Sequence, residues 1–309
     1  MENKIILIGY TGFVGSNLMT QTTFSGLYNS SNISDSFGTN PDILIYSGVR
    51  AEKFLANNNP EKDFDLILGA IENIKKIEPK KVILISTVDV YPNPINVDET
   101  TNINSDNTQA YGKNRLYLEK WVEDNYPDHL ILRLPALFGE NLKKNLIYDI
   151  IHLIPSMLTK EKFEEINNDN WLNDFYTLQA NGFYKLNAEL TENEIKLLKK
   201  KFTEINFTAL NFTDSRAKFQ FYNLNDLWQD INIAIKNNIK KLNLATEPIS
   251  ANEVYQSVYQ STFENHINNT PPNYNFFTIH SNAFGKEEKY IRTKEEILEN
   301  IKTYILKNI

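Results

Sequence analysis

Thr87, Tyr111 and Arg115 have the side chains and the spacing that proton transfer needs. Tyr111 opens the stretch YGKNRLYLEK and Arg115 stands four residues after it. On a helix, positions i and i+4 share one face. A free phenol titrates near pH ~10 and carries protons poorly at neutrality. A fixed cation beside it favours the phenolate and lowers that pKa, each unit being worth ~1.4 kcal/mol. Lys113 falls on a different face and cannot take that role. Thr87 ends the apolar run VILIST, 24 residues before Tyr111. A strand end and a helix start then bring a hydroxyl and a phenol to one edge. Plainer readings stand beside this one. Thr87 is also an ordinary β-branched strand residue, Tyr111 a surface aromatic, and Arg115 an exposed i,i+4 partner for Glu119.

A second cluster suits an anion. Gly9, Gly12 and Gly15 follow the first apolar run and open a helical stretch. Glycines there permit a tight turn and close approach of a pyrophosphate, while Phe13 and Val14 offer backbone N–H groups at the helix start. The spacing is GxxGxxG rather than GxGxxG, so its place after strand one carries the reading. Ser47 and Gly48 end the third apolar run and join the candidate dinucleotide site. Choice between NAD and NADP is read at the end of the second strand. Asn29, Ser30 and Ser31 stand there, neither acidic nor basic. No carboxylate repels a 2′-phosphate and no arginine clamps one, which leaves NAD(P) open with a slight lean to NADP.

The elements that must hold these residues follow from periodicity. Ile5 to Ile8 is a short continuous apolar run, which suits a strand buried on both faces. LYNSSNI, DILIYSGV, KKVILISTVDVYP and HLILRLPALFG read as further strands. If the fourth stays regular, Asp89 faces the same side as Thr87. Asn59-Pro60-Glu61 starts a helix with Phe64, Ile67, Leu68, Ile71 and Ile74 at helical spacing. Tyr111 to Asn125 is another. Strands alternating with helices predict an α/β fold with a Rossmann-type, doubly wound parallel sheet. Residues 1–150 would form it, with 215–250 returning to it. Residues 151–214 and 251–309 would form a smaller, mostly helical substrate or cap domain. TKEEILENIKTYI reads as a terminal helix with a capping box from Thr293 and Glu296.

Composition narrows the function classes. The 309 residues carry a formal charge of −7, which argues against a nucleic-acid partner. With no cysteine, disulfides and thiolate metal sites are excluded, and the four histidines lack metal-ligand spacing. No apolar stretch approaches the ~18 residues of a membrane span. The first apolar run is too short for a signal peptide, so the expected location is the cytoplasm.

The GxxGxxG turn, STVDVY, YGKNR, LRLPALFG and LNLATEPIS lie in order over about residues 4 to 255. Together they resemble the extended short-chain dehydrogenase/reductases, the nucleotide-sugar epimerase, dehydratase and reductase group. That resemblance implies Thr87 as the catalytic Ser/Thr and Tyr111 as the acid/base. Arg115 stands where the group has a lysine that also bonds the nicotinamide ribose; the two cations are not equivalent. A short segment after the second strand resembles the reductase branch, which reduces 4-keto nucleotide sugars and tends to prefer NADPH. C3/C5 epimerisation by a cysteine and a histidine is closed to this chain. The implied reaction is 4-keto reduction or 4-epimerisation of a nucleotide-sugar substrate, commonly in cell-surface polysaccharide synthesis. By the same likeness Arg216 grips a diphosphate, for which its fork is suited, and Asn141 lines the substrate cleft; a plain surface charge is the alternative for Arg216. A homodimer through the helices near residues 60–77 and 111–125 is also implied. The rival class is a cofactor-binding sensor that has lost its catalytic lysine.

Overall fold

A computed structural model describes residues 3 to 309. The apolar runs form strands β1 (Ile5–Ile8), β2 (Gly26–Tyr28), β3 (Ile43–Tyr46), β4 (Lys81–Thr87) and β5 (His129–Leu134). After β6 (Ala136–Phe138) and β7 (Phe221–Asn223), β8 (Lys241–Asn243) completes a six-stranded sheet in the order β8-β5-β4-β3-β1-β2. Every ladder in it is parallel. The connecting helices are α1 (Phe13–Met19), α2 (Lys53–Asn58), α3 (Pro60–Ile77), α4 (Ala110–Asn125) and α5 (Leu227–Lys236).

Alternate strand residues explain why the runs are apolar throughout. Ile6, Leu44 and Val82 pack on one face against Ile67, Ile71 and Ile74 of α3 and Leu118 and Val122 of α4. Leu7, Ile45 and Ile83 pack on the other against Leu18 of α1 and Leu227 and Ile231 of α5. With both faces covered, neither side tolerates a polar alternation. Helix α3 starts as its residues require: Asn59 accepts the Lys62 N–H at 3.4 Å and Pro60 takes the first position. Because β1 lies between β2 and β3, the chain reverses direction across the sheet there. The C-terminal ends of β1 and β3 therefore flank a topological switch point, where such sheets bind ligands.

Two strands are shorter than the sequence predicts. LYNSSNI is strand only to Tyr28, since the Asn29 side chain accepts from the Ser31 N–H at 2.9 Å and turns the chain. The fourth strand stops at Thr87, and Val88–Val90 forms a single 3-10 turn. Thr87 itself ends it, accepting the Asp89 N–H at 3.1 Å. Asp89 is thus not on the strand, which corrects the expectation that it faces the same side as Thr87 by alternation.

Contacts divide the chain into two units, the first comprising residues up to 142, 218–249 and 272–301. The second comprises 143–217, 250–271 and 302–309. Residues 272–301, expected in the cap, thus lie in the sheet unit, and 143–150 lie in the other. The second unit holds helices Leu146–His152, Lys160–Ile166, Glu192–Glu204 and Ala251–Tyr259. It also holds a three-stranded antiparallel sheet of Met157–Leu158, Tyr176–Leu178 and Tyr184–Leu186, which the mostly helical expectation missed. Strands of two and three residues are too short for a period of two to register. Phe163, Leu172, Leu198 and Phe202 form its core. Among the described residues no helix is long and apolar enough to cross a membrane.

Candidate active site

The glycine turn sits at the switch point and is shaped by backbone approach. Gly9 has φ +87, and a Cβ there would lie 2.5 Å from the Ser47 carbonyl oxygen. A Cβ on Gly15 would lie 2.2 Å from the Gly9 oxygen, so α1 packs onto the turn only as glycine allows. Gly12 caps α1 and its N–H donates to Gly9 O at 3.0 Å. The Ser47 N–H donates to Ile8 O at 3.0 Å, and the Gly9 N–H to Tyr28 O at 2.7 Å. These contacts bring Gly9, Gly12, Phe13, Val14 and Gly15 together with Ser47 and Gly48, and set Asn29 and Ser30 at the adjoining strand end. The three glycines let backbone segments close on one another where β1, β2 and β3 end, which fits a dinucleotide.

Thr87 and Tyr111 are each held by backbone-level contacts. Thr87 Oγ1 accepts the Asp89 N–H, which leaves its own O–H to donate. The Tyr111 N–H, orphaned at the start of α4, donates to Asn57 Oδ1 of α2 at 3.0 Å. Gly112 allows α4 to approach the turn after β4: a Cβ there would lie 1.9 Å from Asp89 O. That approach brings Tyr111 to the edge where Thr87 stands. Tyr111 is only 7% exposed, and its hydroxyl makes no hydrogen bond among the described residues. Burial pushes the phenol's pKa up, against Arg115 and Lys53, which pull it down, while Asp89 and Asp63 push it up. The net direction is above the ordinary value, which corrects the expectation that Arg115 leaves it lowered.

Arg115 is a clamp. Its guanidinium lies over the Tyr111 ring, 4.3 Å from the centroid. One Nη donates to the Asp63 carboxylate of α3, and the other to the Arg50 carbonyl at 2.6 Å. Asn114 Nδ2 also donates to Asp63, at 2.8 Å. A lysine has one ammonium and could not make the two divergent bonds while stacking on the ring. The exposed bridge from Arg115 to Glu119 does not form, because Glu119 is fully buried with another arginine.

That arginine is Arg133 of β5. Its Nε and Nη2 hold both carboxylate oxygens of Glu119 at 2.6 to 3.1 Å. Its Nη1 donates to the Tyr91 hydroxyl at 2.7 Å, and Ser86 Oγ donates to Glu119 at 2.5 Å. The network fastens α4, which carries Tyr111, to β4 one residue before Thr87. A charge in the apolar run HLILRL was its only sequence signal. Asp63 had a similar one, lying on the helix face of Ile67 and Ile71.

The two substrate candidates lie in different units. Arg216 lies in the second unit with its fork committed to Asp214 at 3.0 and 2.8 Å and to the Asn268 carbonyl at 2.7 Å. It clips a loop through Nε and Nη2 with its side chain 42% exposed, and its reading as a diphosphate grip stays a proposal. Asn141 follows β6 in the first unit with a left-handed backbone, φ 67. Phe221 and Tyr222 are core residues. Lys53 of α2, Asp89 and Tyr274 form a polar group that motif spacing did not reveal, since they come from three separate segments.

No protein-family model matches the chain, and no curated protein matches it. Solved structures do. A dTDP-4-dehydrorhamnose reductase from Yersinia enterocolitica superposes with TM-score 0.65 at 13% identity, covering 100% of both chains. The dTDP-4-dehydrorhamnose reductase of Bacillus anthracis, in complex with NADP, matches with TM-score 0.65 at 14% identity over 99% of each chain. A UDP-N-acetylglucosamine 4-epimerase from Methanobrevibacter ruminantium, in complex with UDP-N-acetylmuramic acid, matches with TM-score 0.63 at 13% identity. That match covers 99% of this chain and 97% of the epimerase. The fold is therefore the one these nucleotide-sugar enzymes share, as the ordered motifs implied.

Proposed function

We propose that the protein is an NAD(P)-dependent oxidoreductase that reduces the 4-keto group of a nucleotide-linked sugar. What supports this reading is that Thr87 Oγ1, which accepts the Asp89 N–H, still has its own O–H to donate, and that the Tyr111 hydroxyl makes no hydrogen bond among the described residues, on elements next to the strand ends that carry the glycine turn. Gly9, Gly12, Phe13, Val14, Gly15, Ser47 and Gly48 would hold the dinucleotide, which supplies hydride when bound. Tyr111 gives its proton to the sugar oxygen, and Thr87 donates a hydrogen bond to that oxygen. A buried phenol whose pKa lies above its ordinary value is protonated at neutral pH. That state suits a donor, and so favours reduction over 4-epimerisation, which begins by taking a proton. Arg115 steadies the phenol ring, and Asn141 lines the substrate side.

The test is a fluorescence titration with NADPH and NADH, followed by assays of NADPH oxidation with dTDP-4-dehydrorhamnose and a UDP-4-keto sugar. Binding with turnover of one sugar is expected, with NADPH held more tightly because Asn29 and Ser30 present no carboxylate to its 2′-phosphate. Gly15→Ala should overpack the turn by ~1–3 kcal/mol and weaken NADPH binding at least about tenfold. Failure to bind either cofactor sinks the reading. Binding without turnover of any sugar favours the sensor, for which the full commitment of Arg115 to Asp63 and Arg50 is the supporting observation.

We also infer a homodimer through α3 and α4. Leu68 of α3 and Tyr117 of α4 are exposed, and Phe64, on the Leu68 face of α3, packs edge-on against Tyr117 at 5.0 Å. Exposed apolar groups on adjoining helices are what an interaction surface needs. Light scattering should give twice the chain mass for the native protein and a single mass for Leu68→Glu. A monomeric native protein removes the inference.

A further inference from the structure

Arg115 brings a charge and hydrogen-bond donors over a phenol and yet makes no bond to its oxygen. The guanidinium lies 4.3 Å from the Tyr111 ring centroid, while the Tyr111 hydroxyl makes no hydrogen bond among the described residues. Among those residues no fully buried side-chain oxygen lacks a partner, so that hydroxyl meets solvent and is open to a ligand. A guanidinium carries five donors and a permanent charge. Free to move, it would turn a donor to the phenol oxygen. A hydrogen bond and a positive charge there both favour the phenolate, which has no proton to give.

Asp63 is placed to prevent this. It sits in the first turn of α3, where the helix dipole favours a carboxylate. Its Oδ2 accepts from Arg115 Nη1, and from Asn114 Nδ2 at 2.8 Å. Arg115 Nη2 is spent on the Arg50 carbonyl at 2.6 Å, so both Nη groups are drawn away from the hydroxyl. The Asp63 and Arg115 side chains are each 6% exposed. A buried pair is weak evidence of stability, since apolar residues of like volume often serve as well. Here one member of the pair rests on the ring of the proposed proton donor. The charged groups that act on the phenol are Lys53 from α2, Asp63 from α3, Asp89 from the turn after β4, and Arg115 from α4 itself. Of these, Arg115 pulls hardest toward the phenolate, so its restraint matters most.

We propose that Asp63 is a positioning residue that holds the Arg115 cation off the Tyr111 hydroxyl, so that the hydroxyl keeps its proton and stays free for the sugar oxygen. The role rests on the reductase reading, in which Tyr111 is the donor. Asp63 touches neither the phenol oxygen nor the glycine turn. It acts through Arg115, and thereby sets the pH range over which the donor form persists.

The experiment follows Tyr111 in D63N, D63L and the double variant D63L/R115M. Tyrosinate absorbance is titrated in difference against the same protein carrying Y111F, and the pH profile of NADPH oxidation is taken with whichever 4-keto sugar the wild type turns over. Asparagine keeps an acceptor without the charge, and leucine keeps neither. Both single variants should move the phenol titration down by about one pH unit or more, D63L further than D63N, with the alkaline limb of turnover following. The double variant removes the cation as well, so its phenol should titrate no lower than in the wild type. If D63L does not fold, D63N alone decides. An unmoved titration in D63N, with only stability lowered, reduces Asp63 to a strut between α3 and α4 and overturns the proposal. A double variant that titrates as low as D63L overturns it too. A wild type that turns over no sugar sinks the reductase reading and with it the purpose of the hold, whereas the absorbance titration needs no substrate and decides the hold itself.

Discussion

Tyr111→Phe is expected to lower turnover by about 10²–10⁴-fold, the usual scale for loss of a positioned proton donor, while NADPH binding and the melting temperature stay close to wild type. The phenylalanine ring keeps the stacking contact with Arg115, and the Asn57 bond uses only the backbone N–H. The hydroxyl makes no hydrogen bond among the described residues, so its removal leaves no partner unsatisfied. Loss of activity without loss of stability is therefore the signature of a catalytic phenol. Unchanged turnover would remove Tyr111 from the chemistry. The pH profile of the wild type gives a second check. Burial holds the phenol above its ordinary pKa of 10.0, so the donor form is present below that pH and is lost above it. Reduction should stay level through neutrality and fall only above pH 10. A limb near pH 7 would mean that another group donates.

Glu119→Ala is expected to be the costliest substitution in the sheet unit. It leaves Arg133, a fully buried guanidinium, without its carboxylate, and removing one partner of such a pair costs ~3–5 kcal/mol. Ser86 Oγ would lose its acceptor as well, while Tyr91 would keep its bond from Arg133. Urea denaturation should show the loss as a lower midpoint. A double variant, Glu119→Leu with Arg133→Met, should recover much of that loss, because an apolar pair of similar volume avoids the desolvation penalty. A single variant within about 1 kcal/mol of wild type would show that the pair is not buried as described. Turnover should fall alongside stability, since Glu119 ties the helix of Tyr111 to the strand of Thr87.

The outline of this fold was legible because local rules produce it. Continuous apolar runs of four to seven residues imply strands covered on both faces, and those strands are β1, β3 and β4. Asn59-Pro60 fixed where α3 begins, since capping and a preset φ act within one turn. The spacings of Gly9, Gly12 and Gly15, and of Thr87 and Tyr111, placed those residues at strand ends and helix starts. Only tertiary structure decided what surrounds them. Arg115 finds Asp63, 52 positions away, and Glu119 finds Arg133 across a strand, while the sequence suggests that Arg115 and Glu119 pair with each other. A charge pairs with whatever the packed core brings near it, and periodicity does not encode that. The phenol's pKa shows the same division. A cation four residues away argues for lowering it, but desolvation depends on every element packed around Tyr111, and desolvation wins. Where β4 stops was likewise decided by a single hydrogen bond, from the Asp89 N–H to Thr87, and that bond turned Asp89 off the strand toward Lys53.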